Sequence, residues 1–214
     1  MFKMILIILA VIIIFGVTPA FAGSASFYYS DGPWRGRIID AETNAPIAGV
    51  VVLAYWEKIY FTPAGRNSYF YDAVEVVTDK DGNFVMPKFT ALNILPIIRV
   101  IEGPFFVIYK PGYAVFPPAG GEAFDKYFPN SPLKVDTDTM ADFFKKGIVL
   151  ELPKLKTWIE RIDSNHWAHP APDIPEKKIP NLRRILREEE IQLEPIKSKY
   201  KYDREKLNLP IDKS

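Results

Sequence analysis

Short apolar segments separated by turn residues recur along most of the chain. The run Val50–Trp56 is continuously apolar, whereas Ala73–Thr78 alternates apolar and polar positions. Both patterns are typical of strands, the first buried on both faces and the second on one. The full pattern predicts seven strands: Trp34–Ile39, Val50–Trp56, Ala73–Thr78, Asn83–Phe89, Ile94–Ile101, Phe105–Tyr109 and Gly147–Leu152. Because Pro96 cannot donate to a ladder, Ile94–Ile101 is expected at a sheet edge.

The pattern changes after Pro153. Lys154–Asp163 is expected to be helical, and Pro170–Pro180 is proline-rich and expected to be extended. Pro180–Leu193 has proline at the first helical position, and its apolar residues recur at helical spacing: Leu182, Ile185, Leu186, Ile191 and Leu193. The apolar stripe formed by Leu182, Ile185 and Leu186 is expected to pack on the protein's own sandwich rather than on a partner. The charged tail from Glu194 is expected to fray.

The first residues form an export signal. Lys3 precedes the apolar run Met4–Phe15, and Ala20-Phe21-Ala22 matches a cleavage site after Ala22. The alternative is an uncleaved membrane anchor, but the run is short for a hydrocarbon core about 30 Å thick. The sequence therefore predicts an exported protein, periplasmic or extracellular, with no stable membrane span after cleavage. It divides into residues 1–22, a lead-in at 23–33, strands at 34–152 and an extension at 153–214.

Composition excludes several classes of function. The chain has 27 Lys and Arg residues against 26 Asp and Glu residues, a balance that argues against nucleic acid as a partner. It contains no cysteine, so disulfides, thiolate metal sites and cysteine nucleophiles are absent. Stability must come from packing, for which an aromatic content of 14% supplies material.

Three turn signatures occur in order within residues 34–152. They are Gly36-x-Ile38-x-Asp40-x-x-Thr43-x-x-Pro46-Ile47-x-Gly49-Val50-x-Val52, Thr78-Asp79-x-x-Gly82-x-Phe84 and Lys110-Pro111-Gly112-Tyr113. Together they resemble the carboxypeptidase regulatory-like domain. The resemblance implies a transthyretin-like, seven-stranded Greek-key β-sandwich, here with a C-terminal helical extension. It also implies a scaffolding or contact module without catalysis of its own, and no peptidase domain accompanies it.

The segment Glu57–Asp72 departs from that family pattern. It is expected to form a long loop or protruding hairpin, rich in aromatic residues: Tyr60, Phe61, Tyr69, Phe70 and Tyr71. These side chains either form a recognition surface or fold back to cap the sandwich, and capping is favoured because soluble proteins limit exposed apolar area. Pro117–Pro132, within the irregular segment Val115–Ala141, is a second candidate contact loop, and a short helix is expected through Ala141–Phe144.

The sequence therefore predicts a non-enzymatic exported module that binds another envelope or extracellular protein. A carbohydrate-binding module that uses the same aromatic rings as stacking platforms is the alternative. The oligomeric state is left open, and no cofactor is expected.

A metal-dependent enzyme is a further alternative, through the only two histidines. His166 and His169 are three apart, a spacing that can place two imidazoles on one metal, with Asp163 or Asp173 adding oxygen. The favoured interpretation is a surface loop with two incidental histidines, because no third nitrogen ligand exists in the chain.

Two acidic groups are weaker candidates. Asp79–Asn83 resembles the start of a calcium loop but is better explained as a tight hairpin turn, because strand residues follow at once. Asp136, Asp138 and Asp142 could act as acid and base but are expected to be solvated. No Gly-x-Ser-x-Gly elbow is present.

Overall fold

A computed structural model describes residues 27–63, 65–94, 99–129, 131, 137–170 and 174–206, without the side chains of 137–139 and 200–206. The predicted signal peptide and its cleavage site after Ala22 lie outside the described residues.

Eight strands occur in the described part of the chain. They are β1 (Tyr28–Asp31), β2 (Trp34–Asp40), β3 (Val51–Thr62), β4 (Gly65–Val77), β5 (Asn83–Met86), β6 (Phe89–Leu92), β7 (Arg99–Tyr109) and β8 (Ile148–Leu152). The helices are α1 (Gly120–Tyr127), α2 (Thr137–Lys146), α3 (Trp158–Trp167) and α4 (Pro180–Lys206), with a short 3₁₀ turn at Glu176–Lys178. The expectation of a mainly β protein with a C-terminal helix is confirmed.

The strands form three sheets. One has the order β5-β2-β8, another β4-β3-β7, and a small third sheet pairs β1 with β6. Strand β8 runs parallel to β2, from Gly36 opposite Ile148 to Asp40 opposite Leu152. All other pairings are antiparallel. The chain passes repeatedly between the two larger sheets, so neither is built from one continuous segment.

The strand count differs from the predicted seven for three local reasons. Tyr28–Asp31, in the lead-in, pairs with β6 and forms β1. The predicted strand Asn83–Phe89 is divided at Pro87 into β5 and β6, because proline interrupts a ladder. The predicted strands on either side of Gly103-Pro104 are instead one strand, β7, with an irregular register opposite Trp56.

The turn at Asp79–Gly82 connects two sheets and is not a hairpin. Strand β4 pairs with β3, and β5 pairs with β2, so the predicted pairing of Ala73–Thr78 with Asn83–Phe89 is wrong. The turn itself is tight, with the Gly82 N–H donating to the Asp79 carbonyl at 3.1 Å. A turn signature fixes the local path of the backbone but not the partner of the strand that follows.

Strand β3 is buried on both faces. Val52, Ala54 and Trp56 belong to the main core, which fills the space between the two larger sheets and includes side chains of α1 and α2. Val51 and Leu53 belong to a second core on the other face of the β4-β3-β7 sheet. The continuous apolar run therefore predicted the burial of this strand correctly.

The C-terminal extension contributes to the second core, together with residues of β3, β4 and β7. Leu182, Ile185 and Leu186 of α4 pack there, as the apolar stripe predicted. The first turn of α4 is capped from the sheet, since the Glu75 carboxylate accepts the N–H groups of Asn181 at 2.7 Å and Leu182 at 3.0 Å. The extension is thus a third layer of the structure.

Helix α4 is longer than predicted. It continues to Lys206 with Pro195 inside it, so the helix does not end at Leu193 as predicted. The residues that follow Pro195 include several lysines, which have good helix propensity.

Candidate contact surface

The outer part of the β3–β4 hairpin is the candidate functional site. The two strands pair as far as Thr62 opposite Gly65, with a β-bulge between Trp56 and Glu57. We call residues 57–63 and 65–71 the hairpin tip. Burial decreases beyond the bulge: all residues of Val51–Trp56 are buried and Ile59 is buried as well, whereas residues 65–69 are all exposed. The predicted protruding hairpin, rather than a loop, is what the structure shows.

The register sorts the tip residues onto two faces. Lys58 lies opposite Tyr69, and Tyr60 lies opposite Asn67, so these four side chains share one face. Arg99 of β7 lies opposite Tyr60 and belongs to the same face. We call this the aromatic face. It continues the face of β3 that carries Trp56 in the main core.

The side chains of the aromatic face contact one another. The Lys58 Nζ lies 4.5 Å from the centroid of the Tyr71 ring, within the range of a cation–π interaction. The rings of Tyr60 and Tyr69 meet edge to face, 5.7 Å apart. A shallow open hollow on this surface is lined by Lys58, Tyr60, Thr62, Asn67, Tyr69 and Phe70.

The described residues of the aromatic face carry positive charge and no carboxylate. Lys58 and Arg99 are its cations, and the Arg99 Nε donates to the Asn93 Oδ1 at 2.9 Å. The carboxylates of the tip region lie on the opposite face, where Glu57 bonds Ser68 and Glu102 pairs with Arg66. Rings, hydroxyls, an amide and cations are therefore collected on one side of the hairpin.

The five aromatic residues singled out in the sequence differ in how far their side chains are buried. Tyr71 packs against the main core, with its ring edge-on to Phe89 at 6.1 Å, and Phe70 packs against the second core. Tyr60 is half-buried, whereas Phe61 and Tyr69 are 41% and 58% exposed. The aromatic residues nearest the bulge fold back onto the sandwich, whereas those nearer the turn are exposed.

The second candidate loop, Pro117–Pro132, contains helix α1. The ring of Phe116 lies 6.1 Å from Phe124 and 5.1 Å from Phe128, and all three side chains are buried in the main core. The aromatic residues of this segment therefore hold α1 on the sandwich. Residues 130 and 132 lie outside the described residues.

The two histidines lie at a helix end rather than in the predicted loop. His166 is in the last turn of α3, and His169 follows that helix; both are largely exposed. Partial burial lowers the pKa of His169, and the nearby Arg183 guanidinium lowers it further. Asp173 lies outside the described residues. Within the described ranges, no group of three or more His, Asp or Glu side chains is placed to hold a metal ion.

The remaining acidic candidates have local partners where the structure describes them. The Asp79 carboxylate accepts the N–H groups of Asp81 at 2.9 Å and Asn83 at 2.8 Å, which stabilises the turn. The Asp142 carboxylate accepts from Lys145 at 3.2 Å. Asp136 and the side chain of Asp138 lie outside the described part of the chain.

A buried polar cluster closes the opposite end of the sandwich. The Asp40 carboxylate accepts the N–H groups of Glu42 at 2.9 Å and Thr43 at 3.0 Å, the Tyr113 hydroxyl at 3.0 Å and the Lys154 ammonium at 3.0 Å. We call these residues the Asp40 network. Burial by itself would raise the pKa of Asp40, but these four donors outweigh it and hold that pKa well below its usual range.

The Asp40 network brings together the turn signatures found in the sequence. Asp40 belongs to the first signature and Tyr113 to the third. Close by, the Thr78 hydroxyl of the second signature donates to the Ile47 carbonyl at 2.8 Å and accepts the Val50 N–H at 2.9 Å. Motifs far apart in the chain thus meet at one end of the sandwich.

Sequence reasoning missed several residues that the fold makes important. Lys58 and Asn67 join the aromatic face only through the hairpin register, which could have been found by pairing the two strands about the turn. Lys154 and Glu75 act on distant segments, and no local pattern points to them. Arg161 and Glu189, which join α3 to α4 through two hydrogen bonds of 2.8 Å, were likewise missed.

No described helix has the length and apolar character needed to cross a membrane. Comparison of the chain with models of protein families, with curated proteins and with solved structures finds no match.

Proposed function

We propose that this chain is a non-enzymatic exported β-sandwich protein that binds another envelope or extracellular protein through the aromatic face of the hairpin tip. The observation that carries the proposal is the position of Tyr60, Tyr69, Lys58 and Asn67 on one exposed side of a hairpin. The sandwich holds that hairpin rigidly at its base. Recognition residues are commonly presented in this way, on projections from a rigid scaffold.

The export signal at residues 1–22 supports an extracytoplasmic location, periplasmic or extracellular. We further propose that residues 34–152 are a transthyretin-like, Greek-key sandwich of the carboxypeptidase regulatory-like kind, with β1 added from the lead-in, the predicted strand Asn83–Phe89 divided and the two predicted strands around Gly103-Pro104 joined. The meeting of its three turn signatures around Asp40 supports that relationship. A contact or scaffolding role is what the resemblance implies.

Crosslinking in the envelope fraction tests the proposal. The double variant Tyr60→Ala/Tyr69→Ala is compared with the wild type, and with Val85→Ala/Val149→Ala, which changes exposed residues on the β5-β2-β8 sheet. We expect crosslinks to a defined partner to be lost only in the hairpin variant, with its thermal stability preserved. Equal crosslinking by all three proteins would contradict the proposed contact surface.

A carbohydrate-binding module is the second candidate. The hollow on the aromatic face combines the rings of Tyr60 and Tyr69 with the polar groups of Lys58, Thr62 and Asn67, which could stack on and hydrogen-bond a sugar. A glycan array with the wild type and with Tyr69→Ala tests this directly. Binding of one glycan class that disappears in the variant would favour the carbohydrate function, whereas an array without hits would contradict it.

A further inference from the structure

Strand β4 forms one edge of the β4-β3-β7 sheet, and in the described part of the chain it pairs with β3 alone. In an antiparallel pair, the backbone groups of successive residues alternate between the partner strand and the opposite side. The Thr78 N–H donates to the Val50 carbonyl at 2.9 Å, and this bond fixes the alternation. The even-numbered residues of β3 therefore direct their N–H and C=O groups at β4.

The register shows which backbone groups of the hairpin tip point outward. Lys58 and Tyr60 pair with Tyr69 and Asn67, so the backbone groups of those two β4 residues are directed at β3. The N–H and C=O groups of the alternate residues point away from the sheet. These residues, which we call the open edge, are Arg66, Ser68 and Phe70.

The opposite edge of the same sheet, on β7, is covered by other parts of the chain. The Asn93 side-chain amide donates to the Arg99 carbonyl at 2.7 Å, and the Tyr29 hydroxyl donates to the Gly103 carbonyl at 2.7 Å. Further along, the segment after β7 folds back and exchanges two backbone hydrogen bonds with it, at 2.7 and 2.9 Å. The outward groups of β7 are therefore bonded at several points along the strand.

The inner half of β4 is shielded as well, but the open edge is not. The Asp72 carboxylate accepts the Ala73 N–H at 2.8 Å and pairs with Lys178 at 2.7 Å. Among the described residues, no group bonds the outward backbone groups of the open edge. The edge contains no proline, and its one charged side chain, Arg66, is engaged by Glu102. An uncovered strand edge of this kind is a template for a further strand.

We propose that the open edge receives an extended, acidic segment of the partner protein as an added strand. The outward N–H and C=O groups would bond the backbone of that segment, and alternate side chains would lie on the aromatic face. The Lys58 Nζ lies over the ring of Tyr71, a residue of β4, and no carboxylate of the described residues pairs with it. Acidic side chains of an added strand would lie beside this ammonium group. The inference rests on the proposed function and specifies the form of its partner.

A second copy of the chain fits this edge less well. Antiparallel pairing of two open edges would place both aromatic faces on the same side of the joined sheet. Two Lys58 ammonium groups would then share that side without a carboxylate between them, and like charges on neighbouring strands are destabilising. Charge therefore favours an acidic segment over self-association.

Amide hydrogen exchange of the purified protein, followed by NMR, tests this inference with a defined probe. The probe is the peptide acetyl-(Thr-Glu)₄-amide, and acetyl-(Thr-Lys)₄-amide is its charge control. In the free protein, the amides of Arg66, Ser68 and Phe70 should exchange faster than those of Asn67 and Tyr69. We expect the acidic peptide to slow exchange at the open edge at least about tenfold. The basic peptide should bind at least about tenfold more weakly.

Two substitutions of Ser68 separate the backbone from the side chain. Ser68→Pro removes an outward N–H but no bond to β3, and edge strands tolerate proline at such positions. Ser68→Ala removes the hydroxyl that bonds Glu57 and keeps the N–H. We expect Ser68→Pro to lose both peptide binding and the crosslinks to the partner, and Ser68→Ala to keep both. Circular dichroism checks that the variants fold, and the exchange measurement on the wild type does not depend on them.

The other outcomes overturn the inference, and they separate it from the proposed function. Unchanged exchange with the acidic peptide, or equal binding of both peptides, excludes an acidic added strand. Crosslinks kept in Ser68→Pro but lost in Tyr60→Ala/Tyr69→Ala would reject the open edge and leave the aromatic face as the contact surface. Crosslinks unchanged in both variants would reject the proposed function itself. A wild-type dimer in light scattering that Ser68→Pro abolishes would identify a second copy of the chain as the occupant instead.

Discussion

The two ends of the β4-β3-β7 sheet are built in opposite ways. At one end, Val51, Val77 and Tyr109 adjoin turns that the Asp40 network, Thr78 and helix α3 hold in place. At the other end, the same strands continue into the hairpin tip, where Phe70 and Tyr71 pack against the cores and the side chains nearer the turn are exposed. The first end, which we call the locked end, joins distant segments, whereas the tip is held mostly by its neighbouring strands.

The residues that stabilise the fold are therefore largely separate from those proposed to bind a partner. Residues of the locked end are buried and have defined polar partners, so their replacement should lower the free energy of unfolding. Residues 61–62 and 65–69, near the turn of the tip, are exposed, so their replacement should alter binding more than stability. The following four predictions test this division, in order of decreasing expected effect.

Gly82→Ala should have the largest effect on stability. Gly82 has a φ of +76°, and an added Cβ would lie 2.4 Å from the Ile38 carbonyl oxygen. A left-handed backbone and a backbone clash together should cost about 4 kcal/mol of unfolding free energy. Urea unfolding measures this. Gly65→Ala at the tip is the control: alanine would be strained there too, since φ is +127°, but its Cβ would meet no atom within 4 Å. Equal losses at the two sites would contradict the division.

Arg161→Ala should cost about 3 kcal/mol, because it leaves the Glu189 carboxylate buried without its cation. Glu189 is 1% exposed and accepts two hydrogen bonds from Arg161. The matched control is Arg184→Ala, which removes an exposed pair with Glu188 and should change stability by less than about 0.5 kcal/mol. The free energies come from denaturant unfolding. If both arginine variants lose the same small amount, the α3–α4 contact does not contribute to the locked end.

Asp40→Asn should cost about 2 kcal/mol at neutral pH, because an amide cannot replace a carboxylate that accepts from four donors. The folded-state pKa of Asp40 is depressed, so its contribution is present above about pH 4, the ordinary range of this group. That contribution is lost as pH falls toward the folded-state pKa. Stability of the wild type should therefore approach that of the variant in acid. Thermal unfolding between neutral pH and pH 2 checks this, with the exposed Asp81→Asn as control. A constant difference at every pH would show that charge is not the cause.

Tyr69→Ala should have the smallest effect, less than about 0.5 kcal/mol, since its side chain is mostly exposed. Tyr71→Ala, two residues away on the same strand, should cost about 2 kcal/mol because Tyr71 packs against the main core. The comparison is made by thermal unfolding of both variants. A large loss for Tyr69→Ala would place that residue in the structural core and remove it from the candidate contact surface.

Local elements could be predicted well from the sequence. The buried strand at Val50–Trp56, the helix that includes Ala141–Phe144 and the apolar stripe of α4 all follow from periodicity, and all are present. Each depends only on residues close together in the chain. The aromatic content of the hairpin was evident for the same reason.

The pairing of elements could not be predicted in the same way. The turn at Asp79–Gly82 has a hairpin signature, yet it connects two sheets because Val77 pairs with Val51 and Phe84 with Gly36. The division of the aromatic residues into packed and exposed sets depends on the bulge at Trp56, which shifts the register. These features depend on contacts between distant segments, which a local pattern does not contain.

The parallel pairing of β2 with β8 has a consequence for how the protein is made. The β5-β2-β8 sheet is incomplete until the chain has been synthesised as far as Leu152, and the Glu75 cap on α4 joins residues 106 positions apart in sequence. Such non-local contacts slow folding, because loops must close before the contacts stabilise them. A chain that is still being synthesised therefore lacks the segments that complete its structure. This topology delays the assembly of the sandwich until nearly all of the chain is available.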